Sequence, residues 1–380
     1  MNFAKSINKK LCLLLRILRS TFYIILVVII FDLLINLAIP NKIKKTIGIV
    51  GNYSLKSDKF HHIIAPNINL TDRWGGEKYK VITNKYSMRI SQGYEIDSSK
   101  ENIAFIGDSF VWGSGIGYED HFIHLIQKKI KNYNLLNLGY VSYSPSIYFK
   151  RIKYLIEEDN LKFSRIFIFI DHSDIQDEGI FYREDINGNI VRKWTSDEEN
   201  KKRNQKYILK NYLKQNSFIY KLYDIFNLPN ISKKSGECLN KKNINFLDYL
   251  EYERFSYGFD ENIKQKKWVN EGLKKTDIYL NKIKRLSEKY KFDITLVYYP
   301  SAIEVIKNIK LDNNMHLEYL RNWSLNNKKD FIDTSIDFQK YEDGKDNYLN
   351  FFIKCDAHWN IKGHSIIAKN IVKYSKNIEF

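Results

Sequence analysis

The chain reads as an α/β protein built on a parallel sheet wound on both faces, and three observations lead there. Short apolar runs recur at residues 103–106, 135–138, 166–170, 294–298 and 331–332, the length and composition of strands buried on both faces. Segments of helical periodicity lie between or after them, at residues 118–131, 146–158, 268–290, 316–325 and 366–374. Parallel strands need such crossovers, because a hairpin can join only antiparallel ones. Finally, three strands run into small or polar residues: Gly107-Asp108-Ser109, Gly139, and Ser173-Asp174. These positions fall at carboxyl ends of strands, where open α/β sheets keep their ligand crevice.

Taken in order, residues 1–40 stand apart from that core. Lys5, Lys9, Lys10, Arg16 and Arg19 precede an apolar stretch at 21–39, about long enough to span a bilayer. Asp32 and Asn36 interrupt it, and a central acid costs ~3 kcal/mol on insertion. The expectation is a transmembrane helix with a cytoplasmic N-terminus, following the basic residues before it. Lys42, Lys44 and Lys45 on the far side pull against that orientation. No small-x-small cleavage pattern follows the apolar core, which speaks against a removed signal peptide, the alternative that stays open. With no second span, the rest of the chain is expected outside the cytoplasm, in the periplasm or at the cell surface, anchored to the membrane by this helix.

Residues 41–100 form a lead-in of loops and short strands, in which 79–90 alternates as an edge strand or hairpin would. Residues 101–380 carry the α/β domain, broken by a highly charged insertion at about 179–266 with an apolar-rich helix at 218–226. The insertion is expected as a helical cap over the strand ends, where loops carry specificity. No internal repeat or low-complexity linker divides the chain.

Hydrophobic residues at 44% and charged ones at 28% suit a packed core rather than a disordered chain. The 61 basic residues exceed the 44 acidic ones, a net charge of +17. Lysine is spread along the chain without an Arg-rich block, and no nucleic-acid motif appears, so no nucleic-acid partner is expected. A basic surface still attracts anionic polymers and headgroups. Of three cysteines, Cys12 lies in the N-terminal stretch; Cys238 and Cys355 leave both a disulfide and two free thiols open. No Cys/His cluster has zinc spacing, His61-His62 reads as a surface pair, and no metal or cofactor is expected.

The chemistry gathers at two distant points. Ser109 follows a glycine that permits a sharp turn, at the start of a helix whose N–H groups favour developing negative charge. Near the C-terminus stands Asp356-Ala357-His358-Trp359-Asn360. A serine hydroxyl is a poor nucleophile until a base takes its proton, and the base works best when a carboxylate orients it. Each point alone has a plain structural reading: a turn at Ser109, and a cap on the last helix at His358. Jointly they form a nucleophile, base and orienting acid.

These blocks resemble the SGNH (GDSL-type) hydrolases, serine esterases and acyltransferases on a flavodoxin-like three-layer α/β/α fold. The resemblance runs from about residue 79 to the C-terminus. It implies that Ser109 is the nucleophile, that His358 and Asp356 are base and orienting acid, and that Gly139, in Asn137-Leu138-Gly139-Tyr140, belongs to the oxyanion hole. The Asp-x-His-Trp spacing is similar to that of alginate O-acetyltransferase-like proteins, which place the pair before the serine. The family's Gly-x-Asn-Asp block falls on Asp171-His172-Ser173-Asp174, so Ser173 stands where an asparagine donor is usual. One missing donor of that kind costs ~3 kcal/mol. The implied oxyanion hole is therefore the N–H groups of Ser109 and Gly139 with Ser173 as third member, and His172 as a bulkier substitute. Asp108, Asp174 and Tyr299 are candidates for lining the site, Tyr299 with core packing as its equal alternative.

The lead-in resembles those of SGNH proteins that modify polysaccharides. The implied activity is that of a serine esterase removing O-acyl groups, foremost O-acetyl, from a cell-surface glycan through an acyl-Ser109 intermediate. Two alternatives accompany it. One is an O-acyltransferase acting on an exported polysaccharide, with a multispan acyl-donor protein as partner. The other is a catalytically impaired glycan-binding or assembly protein.

Overall fold

The computed structural model describes residues 2–38, 53–74, 77–194, 252–310, 314–340 and 343–375, with residues 217, 219 and 250 individually. The elements begin with α1 (Asn2–Ala38), β1 (Ser54–Ser57), β2 (His61–Ile64), β3 (Asn69–Trp74) and β4 (Glu77–Ile82). The central part holds β5 (Glu101–Ile106), α2 (Ser109–Trp112), α3 (Phe122–Gln127), β6 (Tyr133–Asn137), α4 (Pro145–Glu157), β7 (Arg165–Phe169) and α5 (His172–Gln176). Then come β8 (Tyr182–Glu184), β9 (Ile190–Arg192), α6 (Tyr252–Ser256), α7 (Glu261–Lys264), α8 (Lys267–Tyr290) and β10 (Asp293–Tyr298). The chain closes with α9 (Ala302–Ile306), α10 (Met315–Asn326), β11 (Asp330–Asp333), α11 (Gly344–Phe351) and α12 (Ile361–Ser375).

Five strands form one sheet in the order β11-β10-β7-β5-β6, and every neighbouring pair is parallel. The parallel α/β sheet expected from the alternation of elements is therefore present. Its first strand, β5, lies between the second and third, β6 and β7, the flavodoxin-like order. The winding reverses between β5 and β7, and the crevice outside their carboxyl ends is the switch point of the sheet.

Period-2 alternation divides the core into two layers. Ala104, Ile106, Ile166, Ile168, Ile294 and Leu296 face α4, α8 and α10. Ile103, Phe105, Phe167, Phe169 and Val297 face α2, α3, α9, α11 and α12. Each large apolar side chain so buried contributes ~1.5–3 kcal/mol, and helices cover both faces.

The expected elements form with shifted bounds. The helix anticipated over 118–131 is interrupted: Tyr118–Asp120 makes a single 3-10 turn and His121 is extended. The His121 ring then caps α3 by accepting the Ile123 N–H at 3.2 Å. In the lead-in, β3 and β4 form an antiparallel hairpin, earlier in the chain than the alternation at 79–90 suggested. His61 and His62 lie in β2, half-buried rather than on the surface, with His62 Nε2 bonded to the Val141 carbonyl at 2.6 Å.

Within the insertion, β8 and β9 pair as a hairpin turned at Asn187-Gly188, and Phe255 near its end is buried in the core. The helix expected at 218–226 lies outside the described residues except for Ile219. Cys355 is disulfide-bonded; Cys238, the partner considered from the sequence, also lies outside the described residues.

The N-terminal expectation needs correction. A helix of 37 residues does form, but among the described residues no helix is long and apolar enough to cross a membrane. The transmembrane anchor, the membrane as a partner and the placement drawn from them fall together. Cationic residues occupy the first half of α1, and its apolar half contains Asp32. That carboxylate accepts the backbone N–H of Ile219 at 2.8 Å, a protein partner for the acid that interrupts the apolar run.

Candidate active site

The turn after β5 is a helix start. Asp108 caps α2, its Oδ1 accepting the Phe110 N–H at 2.9 Å, and this places Ser109 at the first helical position. Ser109 is 9% exposed, at the carboxyl end of β5. Its Oγ stands 2.7 Å from His358 Nε2 and 3.1 Å from Asp108 Oδ2.

The facing loop explains why an acid and a histidine two residues apart can work on one another. Phe352 and Trp359 bridge antiparallel, and Ile353 N–H donates to the His358 carbonyl at 2.8 Å. Inside this narrow loop Asp356 Oδ1 accepts the His358 backbone N–H at 2.8 Å, an Asx turn. The turn folds the ring back onto the same oxygen, so that Nδ1 also contacts Asp356 Oδ1. An acceptor on Nδ1 assigns the proton to that nitrogen and leaves Nε2 to accept from Ser109. The last helix is capped by Asn360, whose Oδ1 accepts from Lys362 and Gly363 at 2.9 and 3.1 Å, and His358 is left to face Ser109.

Electrostatics favour this pairing. Burial disfavours a charged His358, but the Asp356 carboxylate, by charge and by hydrogen bond, outweighs it and holds the imidazole above its ordinary pKa. Burial likewise opposes an ionised Asp356, yet His358 and the Trp74 indole hold its carboxyl below the ordinary range. Asp108 moves the other way: burial, and then the charge of Asp171, push it up to about 7.

The turn after β7 is built to the same plan with different partners. Asp171 caps α5 and Asp174 returns the bond in a capping box. Ser173 Oγ donates to Asp171 Oδ1 at 2.7 Å, so its hydroxyl is committed within the turn. His172 lies 3.3 Å from Glu304 Oε1 and packs on the His316 ring at 4.2 Å between centroids. Asp174 is buried, accepting from Tyr148 OH at 2.8 Å and from the Asp171 N–H at 3.1 Å.

Gly139, expected in the oxyanion hole, lies in the loop after β6. Its N–H donates to Asn137 Oδ1 at 3.0 Å. A Cβ there would stand 2.7 Å from Val111 Cβ and 2.9 Å from the Trp112 nitrogen, so the glycine lets α2 approach the loop after β6. Tyr299 is buried behind the site, its ring 5.1 Å from Phe110 and 4.6 Å from Trp359. It braces the residues next to Ser109 and His358.

Sequence reading missed Trp74, whose indole Nε1 donates to Asp356 Oδ2 at 2.9 Å. No local signal marks it, since 282 residues separate the pair. The cluster of Asp108, Asp171 and Asp174 also emerged only in space. Their carboxylate oxygens lie within 4.8 Å of one another, and they are the group among the described residues able to hold a cation. Protons relieve the same repulsion: Asp174 is raised well above the ordinary carboxylate range, by burial first and then by Asp171 and Asp108.

Taken together, the site has the parts of a serine acyl-transfer centre: a hydroxyl, an imidazole with its accepting nitrogen on that hydroxyl, and a carboxylate on the other nitrogen. Neither a family model nor a curated protein matches the sequence. Solved structures are similar at low identity. A lipolytic protein of the G-D-S-L family from Veillonella parvula shares 10% identity at TM-score 0.40, over 73% of this chain and 100% of its own. The acetyl xylan esterase AlAXEase shares 13% at TM-score 0.39, over 72% of this chain and 98% of its own. The psychrotrophic esterase EstA from a Pseudoalteromonas species shares 11% at TM-score 0.36, over 73% of this chain and 98% of its own. Likenesses this distant do not specify chemistry.

Proposed function

We propose that this chain is a serine ester hydrolase that removes small O-acyl groups, foremost acetyl, from glycan hydroxyls through an acyl-Ser109 intermediate. The observation that carries the reading is the 2.7 Å contact between Ser109 Oγ and His358 Nε2, with Asp356 on the opposite ring nitrogen. His358 takes the hydroxyl proton as Oγ attacks the ester carbonyl, and Asp356 stabilises the imidazolium that forms. The sugar hydroxyl leaves with that proton. Water, deprotonated by the same nitrogen, then releases the acid and restores Ser109.

The near-complete burial of Ser109 favours a short acyl chain, and the glycan follows from the sequence resemblance. The oxyanion is assigned to the Ser109 N–H at the start of α2, with the Gly139 N–H joining if it exchanges Asn137 Oδ1 for the substrate oxygen. The Ser173 hydroxyl, held by Asp171, contributes through the turn it braces.

The test is active-site labelling with a fluorophosphonate probe, mapped by mass spectrometry, beside hydrolysis of an acetyl ester. Ser109 should carry the adduct, and Ser109→Ala and His358→Ala should abolish both signals. Folded wild-type protein with neither adduct nor turnover would sink the reading.

A further inference from the structure

The N-terminal lead-in contributes to the site, through one side chain and one clamp. Trp74, at the end of β3, donates its indole N–H to Asp356 Oδ2, the oxygen that His358 leaves free. Its ring stands edge-on to the His358 imidazole, 5.2 Å between centroids at 88°. Gly115 in the loop after α2 packs against the same corner: a Cβ there would stand 2.5 Å from Ile353 Cδ1 and 3.2 Å from Trp74 Cδ1. Downstream of the same hairpin, buried Arg89 donates to the carbonyls of Trp112 and Gly113 at 2.8 and 2.6 Å. The lead-in is thereby fixed to the nucleophile loop on one side and to the orienting acid on the other.

We propose that Trp74 is a positioning residue for the Asp356–His358 pair, holding the carboxylate in the rotamer that keeps Nε2 on Ser109. The chemistry requires a holder of this kind. A carboxylate with one oxygen serving the imidazole and the other unbound can rotate about its Cβ–Cγ bond, and the ring it orients drifts with it. A donor on the second oxygen fixes that rotation, and the ring edge limits water access to the shared proton. The Asp356 backbone is held independently, since its N–H lies 3.1 Å from Tyr348 OH and 3.0 Å from the Ile353 carbonyl, both of which can accept it. The Oδ1 side of the carboxylate is also held by the His358 backbone N–H at 2.8 Å, and Trp74 supplies the donor on Oδ2 that completes its orientation.

This inference rests on the serine-hydrolase reading, and the experiment separates the two. In the full chain, Trp74 is replaced by β-(3-benzothienyl)alanine, which keeps the bicyclic ring and removes the N–H, and separately by Trp74→Phe. Two signals are followed: the downfield proton resonance of His358 Nδ1–H, which needs no substrate, and the rate of fluorophosphonate labelling at Ser109. The isostere should broaden or remove the downfield proton and slow labelling about tenfold, the scale of one hydrogen bond to a charged group. Trp74→Phe should behave at least as severely.

If the isostere leaves both signals as in wild type, Trp74 is packing alone and the inference is overturned. If it removes the downfield proton while wild-type protein is never labelled, the positioning role stands and the hydrolase reading fails. If it slows labelling with the downfield proton intact, Trp74 acts on the probe's pocket and the positioning role is overturned.

Discussion

Two strand-end turns in this molecule share a plan and differ in outcome. After β5, Asp108 caps a helix that begins with Ser109; after β7, Asp171 caps a helix carrying Ser173 at its second position. Each serine hydroxyl reaches its own capping aspartate, at 3.1 Å and 2.7 Å. Ser109 also meets His358, whereas the histidine beside Ser173 turns away to Glu304 and His316. A serine at a helix start is only a polar side chain in the turn until the chain brings a base to it. Neither turn shows which it is from its own residues.

Removing each hydroxyl separates the two turns most sharply. Ser109→Ala should lower acetyl-ester hydrolysis by ~10⁴-fold or more, the usual size for a nucleophile. Ser173→Ala should change it only a few-fold and cost about 1 kcal/mol of stability for the bond to Asp171, read by turnover and urea unfolding on the same preparations. Equal losses would mean that Ser173 acts directly on substrate.

The next test removes the orienting charge. Asp356→Asn should lower turnover by ~10⁴-fold. It should also move the acid limb of the residual pH profile to lower pH. The sign follows from the raised His358: the base must be neutral to accept a proton, so wild-type activity falls as pH drops through its raised value, and removing Asp356 brings that value down. A limb that stays in place would assign it to another group, with Asp108 at about 7 the first to examine by Asp108→Asn.

A smaller effect is expected beneath the second turn. Glu304 is buried and accepts from Tyr298 OH at 3.1 Å while lying beside His172 and Asn314. Glu304→Ala should destabilise the protein by ~3 kcal/mol, as breaking a buried charged network does, with labelling of Ser109 in the remaining folded protein unchanged. Loss of labelling would instead connect this network to the nucleophile.

The smallest effect concerns pH and stability. Because burial raises Asp174 well above its unfolded value, the folded state keeps a proton that the unfolded chain releases. Stability therefore falls as pH rises above the ordinary carboxylate value of about 4, until Asp174 ionises in the folded state as well. Asp174→Asn, whose amide oxygen can still accept from Tyr148 and Asp171, should flatten that fall. The gain would be about 2 °C in melting temperature at neutral pH, and an unchanged slope would assign the dependence to Asp108, Asp177 or Glu178, which are also raised by burial.

Much of the fold was legible because its signals are local. Strand runs at 103–106 and 294–298 are short apolar segments with no competing period, and α4 carries Ile147, Ile152 and Leu155 on one buried face. The break at His121 was not legible, since apolar residues continue through it and only the ring's capping bond restarts the helix. Gly139 was noticed for its place after a strand, but its neighbour Val111 comes from another element and explains the missing side chain. The apolar length of the N-terminal stretch suggested a span; a contact from the insertion to Asp32 lies beyond what periodicity can register.

Local forces set the alternation of strands and helices, which was read from the sequence, and also the Asp-capped serine turns and the tight Asp356–His358 loop. Each of these depends on backbone preferences and side-chain bonds within a few residues, which any copy of the segment carries with it. The packed fold places Ser109 beside His358, the pair that the motifs had implied, and it alone gathers three aspartates and sets the Trp74 indole on Asp356. Those pairings join segments up to 282 residues apart. Their geometry is set by the strand order and by how helices pack on the sheet, so no window along the chain contains it.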